Sequence, residues 1–231
     1  MKSLTEHPNS ETGESTSRCI LFDLDGTLYD SPAYSKQLEF EISKFVADKL
    51  SVSTKEAAAI LKDRRRLLIT LTGALESLGI GRAEFFDSIT DRIEPAEFLA
   101  RDDSVQSTIS SLKRNGFKVG LVSNSGRGLV EKILKALQLD NAVFDVIVTS
   151  SDVKPKPSAE PYLLALRLLG CQPEHSVYVG DRDEAELHPA KQLGIRTVLV
   201  NRGGNTPYHW ADVTVTRISE IPRAIKEMFP A

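Results

Sequence analysis

The chain has 231 residues, with 29 Lys plus Arg against 32 Asp plus Glu and a net charge of −3. That balance gives no electrostatic basis for a nucleic-acid or anionic-membrane partner. A content of 41% hydrophobic and 26% charged residues excludes global disorder, and the length suits one large domain or a domain carrying an insertion.

Residues 1–18 are polar and poor in apolar side chains, and read as a flexible tail. They lack the apolar stretch of a signal peptide, and no later run approaches the roughly 20 apolar residues of a membrane span. The two cysteines, Cys19 and Cys171, each adjoin a hydrophobic segment. Buried thiols of this kind, without a disulfide framework, fit a cytoplasmic protein. The four histidines show no zinc spacing.

Short apolar, β-branched runs at 19–22, 117–122, 143–148, 176–179 and 197–200, with a weaker one at 212–215, predict strands. Between them lie helical patterns. Leu129, Val130, Ile133, Leu134 and Leu137 form one stripe, and Leu163, Leu164, Leu166, Leu168 and Leu169 mark a second helix that Gly170 can end. The segment 33–100 breaks the alternation and predicts helices alone, with stripes at Leu38, Ile42, Phe45 and Val46 and at Leu67, Leu68, Leu71, Leu75 and Leu78. Turns are expected at 51–54 and 79–81. The fold class is therefore α/β: a Rossmann-like three-layer α/β/α core with a parallel sheet, formed by 19–32 and 101–231, plus an inserted all-helical domain over 33–100.

In such a sheet ligands bind beyond the carboxyl ends of the strands. Those ends deliver Asp23-Leu24-Asp25-Gly26-Thr27, then Ser123-Asn124-Ser125-Gly126, then Lys154-Pro155-Lys156-Pro157, then Gly180-Asp181. Asp23 and Asp25 share a face of an extended chain, and a turn at Gly26 can aim both at one centre. Two close carboxylates call for a cation or a shared proton. Ser123 and Asn124 precede a helix start, which favours an anion. Each segment alone reads equally as a cap or a turn, and their convergence on one edge gives the set its meaning.

The motifs Phe22-Asp23-Leu24-Asp25-Gly26-Thr27-Leu28, Leu121-Val122-Ser123-Asn124, Lys156-Pro157 and Val179-Gly180-Asp181, in this order, resemble those of the haloacid dehalogenase superfamily of phosphohydrolases. The helical insertion resembles that family's helical cap. The resemblance implies Asp23 as nucleophile, Asp25 as general acid and base, and Lys156 as the catalytic cation. It implies phosphate binding by Ser123, Asn124, Gly26 and Thr27, with Thr27 also orienting the first loop, and Mg²⁺ held by Asp23, the Asp25 carbonyl and Asp181.

Lys154 competes with Lys156 for one role, and the resemblance, in which the lysine lies about fourteen residues before the glycine that ends its helix, implies Lys156, given Gly170. The family's further acid after Gly-Asp has no direct counterpart, which leaves Glu186 or Asp183 to replace it. Within the family, Asp25 argues against dehalogenation, since a halide needs no proton. The order and sizes of the segments resemble phosphatases of small molecules, such as phosphoglycolate phosphatases and pyrimidine 5′-nucleotidases. The implied partner is a small phosphorylated substrate, met by a monomer or a dimer. A phosphomutase, or a catalytically weak binding protein of the same fold, stands as the alternative. The run Arg64, Arg65, Arg66 reads as a solvated helix face before a second anion site, and Phe85 and Phe86 as insert core before a stacking platform.

Overall fold

Cys19, Ile20, Leu21 and Phe22 are all fully buried, as an unbroken apolar strand must be when both faces of its sheet are covered. The computed structural model describes residues 17–68, 70–203 and 208–229. The expected tail lies outside these residues apart from 17 and 18, and Arg18 already opens a strand. β1 (Arg18–Phe22) joins β2 (Phe117–Val122), β3 (Val146–Val148), β4 (Ser176–Gly180), β5 (Arg196–Val200) and β6 (Val213–Val215). All pairings are parallel, in the order β3-β2-β1-β4-β5-β6. β1 pairs with β2 from Arg18↔Phe117 to Phe22↔Leu121 and with β4 from Cys19↔Ser176 to Phe22↔Val179. The strand order reverses at β1, so the crevice beyond β1 and β4 is the topological switch point of the sheet.

Between β1 and β2 lie α1 (Pro32–Leu50), α2 (Thr54–Leu68), α3 (Leu71–Ser77) and α4 (Arg82–Arg92), then α5 (Asp103–Arg114). α6 (Arg127–Ala136), α7 (Glu160–Leu169), α8 (His188–Gln192) and α9 (Ile221–Met228) follow between and after the later strands. The alternation of β1 separates two layers. Ile20 and Phe22 pack with Ile109 of α5, Ile133 of α6 and Ile225 of α9, whereas Cys19 and Leu21 pack with Tyr162 and Leu166 of α7 and Ala190 of α8. This is the expected α/β/α core with an all-helical insertion.

Three expectations change in detail. The strand expected over 143–148 pairs only at Val146–Val148, because Asp140 caps a 3₁₀ turn over Asn141–Val143 by accepting the Ala142 N–H at 2.8 Å. The leucine stripe from 67 to 78 is split, since Thr70 accepts the Gly73 N–H at 3.1 Å and starts a new helix. Leu67 is consequently 77% exposed while Leu75 is buried. In α7 five leucines over seven positions cannot share one helix face. Leu163 and Leu168 point outward, and Tyr162, Ala165, Leu166 and Leu169 form the buried stripe. Gly170 ends that helix in the left-handed region, as expected. Among the described residues no helix is long and apolar enough to cross a membrane.

Candidate active site

The site grows out of the end of β1. The Asp23 N–H donates to the Val179 carbonyl at 2.8 Å, extending the ladder with β4 by one residue and fixing Asp23 in a nearly fully buried position. Its Oδ1 accepts from Lys156 Nζ at 2.5 Å. Lys156 is fully buried, and its ammonium also reaches the Val122 carbonyl at 3.0 Å, the Tyr178 hydroxyl at 2.7 Å and Glu186 Oε1 at 3.0 Å. Four acceptors around three protons saturate the group. Burial alone would lower its pKa, but the Asp23 and Glu186 carboxylates outweigh it and hold the pKa above the ordinary lysine value, so the charge persists. Lys154 is exposed at the surface, and Lys156 is the one of the two lysines that reaches Asp23. The Asn124 carboxamide accepts the Lys156 N–H and donates to its carbonyl, both at 2.8 Å. Asn124 thus locks the main chain that carries the lysine.

After Phe22 the chain turns at Gly26, whose φ is +86°. A side chain there is doubly forbidden, because a Cβ would lie 2.3 Å from Asp181 Oδ2. The turn brings Asp25 over Asp23. Asp25 Oδ1 accepts from the Tyr29 hydroxyl, and its Oδ2 accepts from Ser125 at 3.1 Å and Ser123 at 3.5 Å. Burial and the Asp23 charge push the Asp25 carboxyl above its ordinary pKa, the direction a general acid requires. Ser123 is buried beneath this carboxylate and accepts the Ser125 N–H at 3.1 Å. Ser125 is the hydroxyl of that loop on the cavity wall. The Thr27 hydroxyl is buried with no partner among the described residues. The loop is held from outside by Arg202, which donates to the Gly26 and Thr27 carbonyls.

Asp181, at the end of β4, and Glu186 complete an acidic cluster. Asp23, Asp181 and Glu186 each offer a carboxylate oxygen within 4.8 Å of the others. Asp23 Oδ2, Asp181 Oδ1 and Glu186 Oε2 are buried without a hydrogen-bond partner among the described residues. Three orphaned anionic oxygens beside one saturated ammonium fit a divalent cation with oxygen ligands. Without one, burial and the neighbouring Asp23 charge push Asp181 up to about 7 and Glu186 up to about 8. Glu186 arrives here through a π-helical turn over Asp183–Leu187, a feature that recurs at functional sites. Its carboxylate rests against Gly180, where a Cβ would lie 2.6 Å from Oε2. Asp183 faces away and accepts the His209 and Trp210 N–H groups at 2.9 and 3.1 Å. Of the two acids left open by the sequence, Glu186 is the one brought to the cluster.

These groups floor a cavity of about 500 Å³. Its opposite wall comes from the helical insertion, with Tyr34, Glu39, Arg65, Thr70, Thr72 and Phe86. Of the arginine run only Arg65 reaches the cavity, and it lies 3.6 Å from Glu39. Phe85 is insert core, meeting Phe45 edge-on with ring centroids 5.7 Å apart. Phe86 differs, because it lines the cavity and presses on Gly126, where a Cβ would lie 2.6 Å away. Sequence reasoning missed Tyr29, Ser125, Tyr178 and Arg202. Ser125 sat inside a strand-end motif and could have been found there. The other three carry no local signal.

A family model described as haloacid dehalogenase-like hydrolase matches residues 20–200. A phosphoglycolate phosphatase of Aquifex aeolicus (strain VF5) is 32% identical over 194 residues, covering 79% of this chain and 84% of that protein. The pyrophosphatase PpaX of Bacillus cereus (strain AH820) is 39% identical over 106 residues, 46% of this chain and 48% of that one, so the match spans about half of each. Among solved structures, a HAD phosphatase from Thermococcus onnurineus superposes with a TM-score of 0.66 at 23% identity, over 90% of this chain and 97% of that one. CbbY from Rhodobacter sphaeroides in complex with phosphate gives 0.65 at 23% identity, over 89% and 96%. At such identities the structures speak for the fold alone.

Proposed function

The chain belongs to the haloacid dehalogenase-like hydrolases, and on that premise we propose that it is a Mg²⁺-dependent phosphatase, cleaving a small phosphomonoester through an aspartyl-phosphate on Asp23. The observation that carries this reading is the meeting of Asp23, Asp25, Lys156, Asp181 and Glu186 at the floor of one cavity, with three carboxylate oxygens left unpartnered.

Asp23 Oδ1 is held by the lysine, and Oδ2, free of hydrogen bonds, belongs to the unpartnered set that would meet a cation. As the oxygen–phosphorus bond to Asp23 forms, the ester bond breaks, and Asp25 gives its proton to the departing alkoxide. Water then attacks the aspartyl-phosphate, Asp25 takes the proton back, and inorganic phosphate leaves. Lys156 offsets the charge of Asp23 and of the phosphoryl oxygens, with the Asn124 carboxamide keeping it in place. Asp23, Asp181 and the Asp25 carbonyl would hold Mg²⁺, with Glu186 beside them. When bound, Mg²⁺ neutralises charge on the phosphoryl group and on the carboxylates.

The helical insertion over 33–100 serves as a cap on the core of 19–32 and 101–231. Its wall of Tyr34, Glu39, Arg65, Thr70 and Thr72 supports a substrate with polar groups beyond the phosphate, in the size range of phosphorylated acids, sugar phosphates and nucleotides. The test is phosphate release across those three classes, with Mg²⁺ and with EDTA, for the wild type and Asp23→Asn. Release should require Mg²⁺ and vanish in Asp23→Asn, and activity surviving either change overturns the mechanism. A sugar phosphate isomerised faster than it is hydrolysed would make the protein a mutase.

A further inference from the structure

Tyr29 lies four residues after Asp25, and no motif discussed above includes it. It is 9% exposed, and its hydroxyl donates to Asp25 Oδ1. The ring is clamped from the insertion side by Tyr34, which is 1% exposed and meets it edge-on at 5.9 Å with the planes 72° apart. Tyr34 stands at the start of α1, where Ser31 accepts its N–H at 3.2 Å. From the opposite side, Ser125 holds Asp25 Oδ2 at 3.1 Å. The carboxyl group of Asp25 is thus gripped at both oxygens, one by the loop after β2 and one by a phenol wedged against the first helix of the insertion.

Resting on the phosphatase reading above, we infer that Tyr29 is a positioning residue for Asp25, which fixes Oδ2 as the oxygen that carries the transferable proton toward the leaving alcohol. The chemistry of the two donors supports this division. A phenol can donate to Oδ1 whether Asp25 is ionised or protonated. The Ser125 hydroxyl donates to ionised Oδ2 and can rotate away once a proton is there, which leaves that proton free to point into the cavity. When the phosphorus–ester oxygen bond breaks, its electron pair takes that proton, Asp25 becomes a carboxylate, and Ser125 turns back to donate. The geometry matters most for poor leaving groups. An aliphatic alkoxide needs the proton as the bond breaks, whereas p-nitrophenolate leaves without it.

The experiment compares kcat/KM for glycerol 2-phosphate and for p-nitrophenyl phosphate in the wild type and in Tyr29→Phe, with Asp23→Asn alongside. Because kcat/KM covers the steps up to departure of the alcohol, it isolates the proton delivery. Because both substrates are measured on one preparation, their ratio does not depend on the fraction of folded enzyme. Tyr29→Phe should lower kcat/KM by about 10-fold or more for glycerol 2-phosphate and by less than about 3-fold for p-nitrophenyl phosphate, a share of the usual general-acid contribution. Equal loss on both substrates, or loss on neither, overturns the role of Tyr29. Activity retained in Asp23→Asn strikes at the phosphatase mechanism instead, so the two failures are distinct.

Discussion

Replacing Lys156 by Met probes the electrostatics of the site most directly. Met is close to lysine in length and keeps the buried stem packed, so the change removes the charge and little volume. The ammonium is fully buried and contacts Asp23 at 2.5 Å and Glu186 at 3.0 Å. Without it, Asp23 and Glu186 lose their shared counter-charge, with Asp181 already in the same cluster. Removing one partner of a buried pair costs about 3–5 kcal/mol. In a chain of this size each kcal/mol moves the unfolding midpoint by about 2–4 °C, so a fall on the order of 10 °C is expected in EDTA. The uncompensated carboxylates should also make the variant lean harder on a cation. Saturating Mg²⁺ should therefore raise the midpoint of Lys156→Met by more than that of the wild type. Differential scanning fluorimetry with EDTA and with Mg²⁺ reads both effects, and Lys154→Met, on the exposed neighbour, should stay within about 0.5 kcal/mol of wild type. A midpoint for Lys156→Met within 2 °C or so of wild type in EDTA, or an equal Mg²⁺ response in both proteins, would refute the electrostatic account.

Two further substitutions test the first turn of the site and the sheet away from it. Gly26→Ala places a Cβ 2.3 Å from Asp181 Oδ2 at a φ of +86°; it should cost about 1–2 kcal/mol of stability and raise the Mg²⁺ concentration for half-maximal phosphatase activity by about 10-fold or more. An unchanged Mg²⁺ titration would show that Asp181 does not depend on that glycine. Far from the site, Asp212 accepts from Lys191 and from the Thr197 N–H at 2.8 Å, tying the start of β6 to β5. Burial raises its pKa, but the bonds from Lys191 and Thr197 outweigh that and leave it below the ordinary value. A depressed folded pKa gives stability that is whole above the ordinary aspartate range, near pH 4, and is lost as pH falls below it. Asp212→Asn should thus lower the urea midpoint at pH 7 and leave it nearly unchanged near pH 2–3; an equal loss at both pH values would remove the charge from the explanation.

The alternation of apolar runs with 3.6-residue stripes was sufficient for the parallel sheet, because a strand covered on both faces must be apolar at every position, as 19–22 is. The same logic placed Asp23, Asp25, Ser123 and Asp181 at strand ends, since a polar residue that follows such a run marks where the strand stops, and put Lys156 in the segment after the third strand. What the pattern could not fix was which groups meet. Asn124 grips the Lys156 main chain across 32 residues, and Arg202 clasps the Gly26 carbonyl across 176. Such bonds obey no local period. Glu186 reaches the cluster from within a π-helical turn, and Asp183, nearer in sequence to Asp181, is turned away by its bonds to the backbone at 209 and 210. The wall contributed by the insertion was equally illegible, because Tyr34, Arg65 and Phe86 come from three helices whose spacing is set by packing. Sequence determined the sheet and the acids at its edge, and tertiary structure decided their partners, since periodicity encodes burial while contact between distant segments depends on how the buried faces stack.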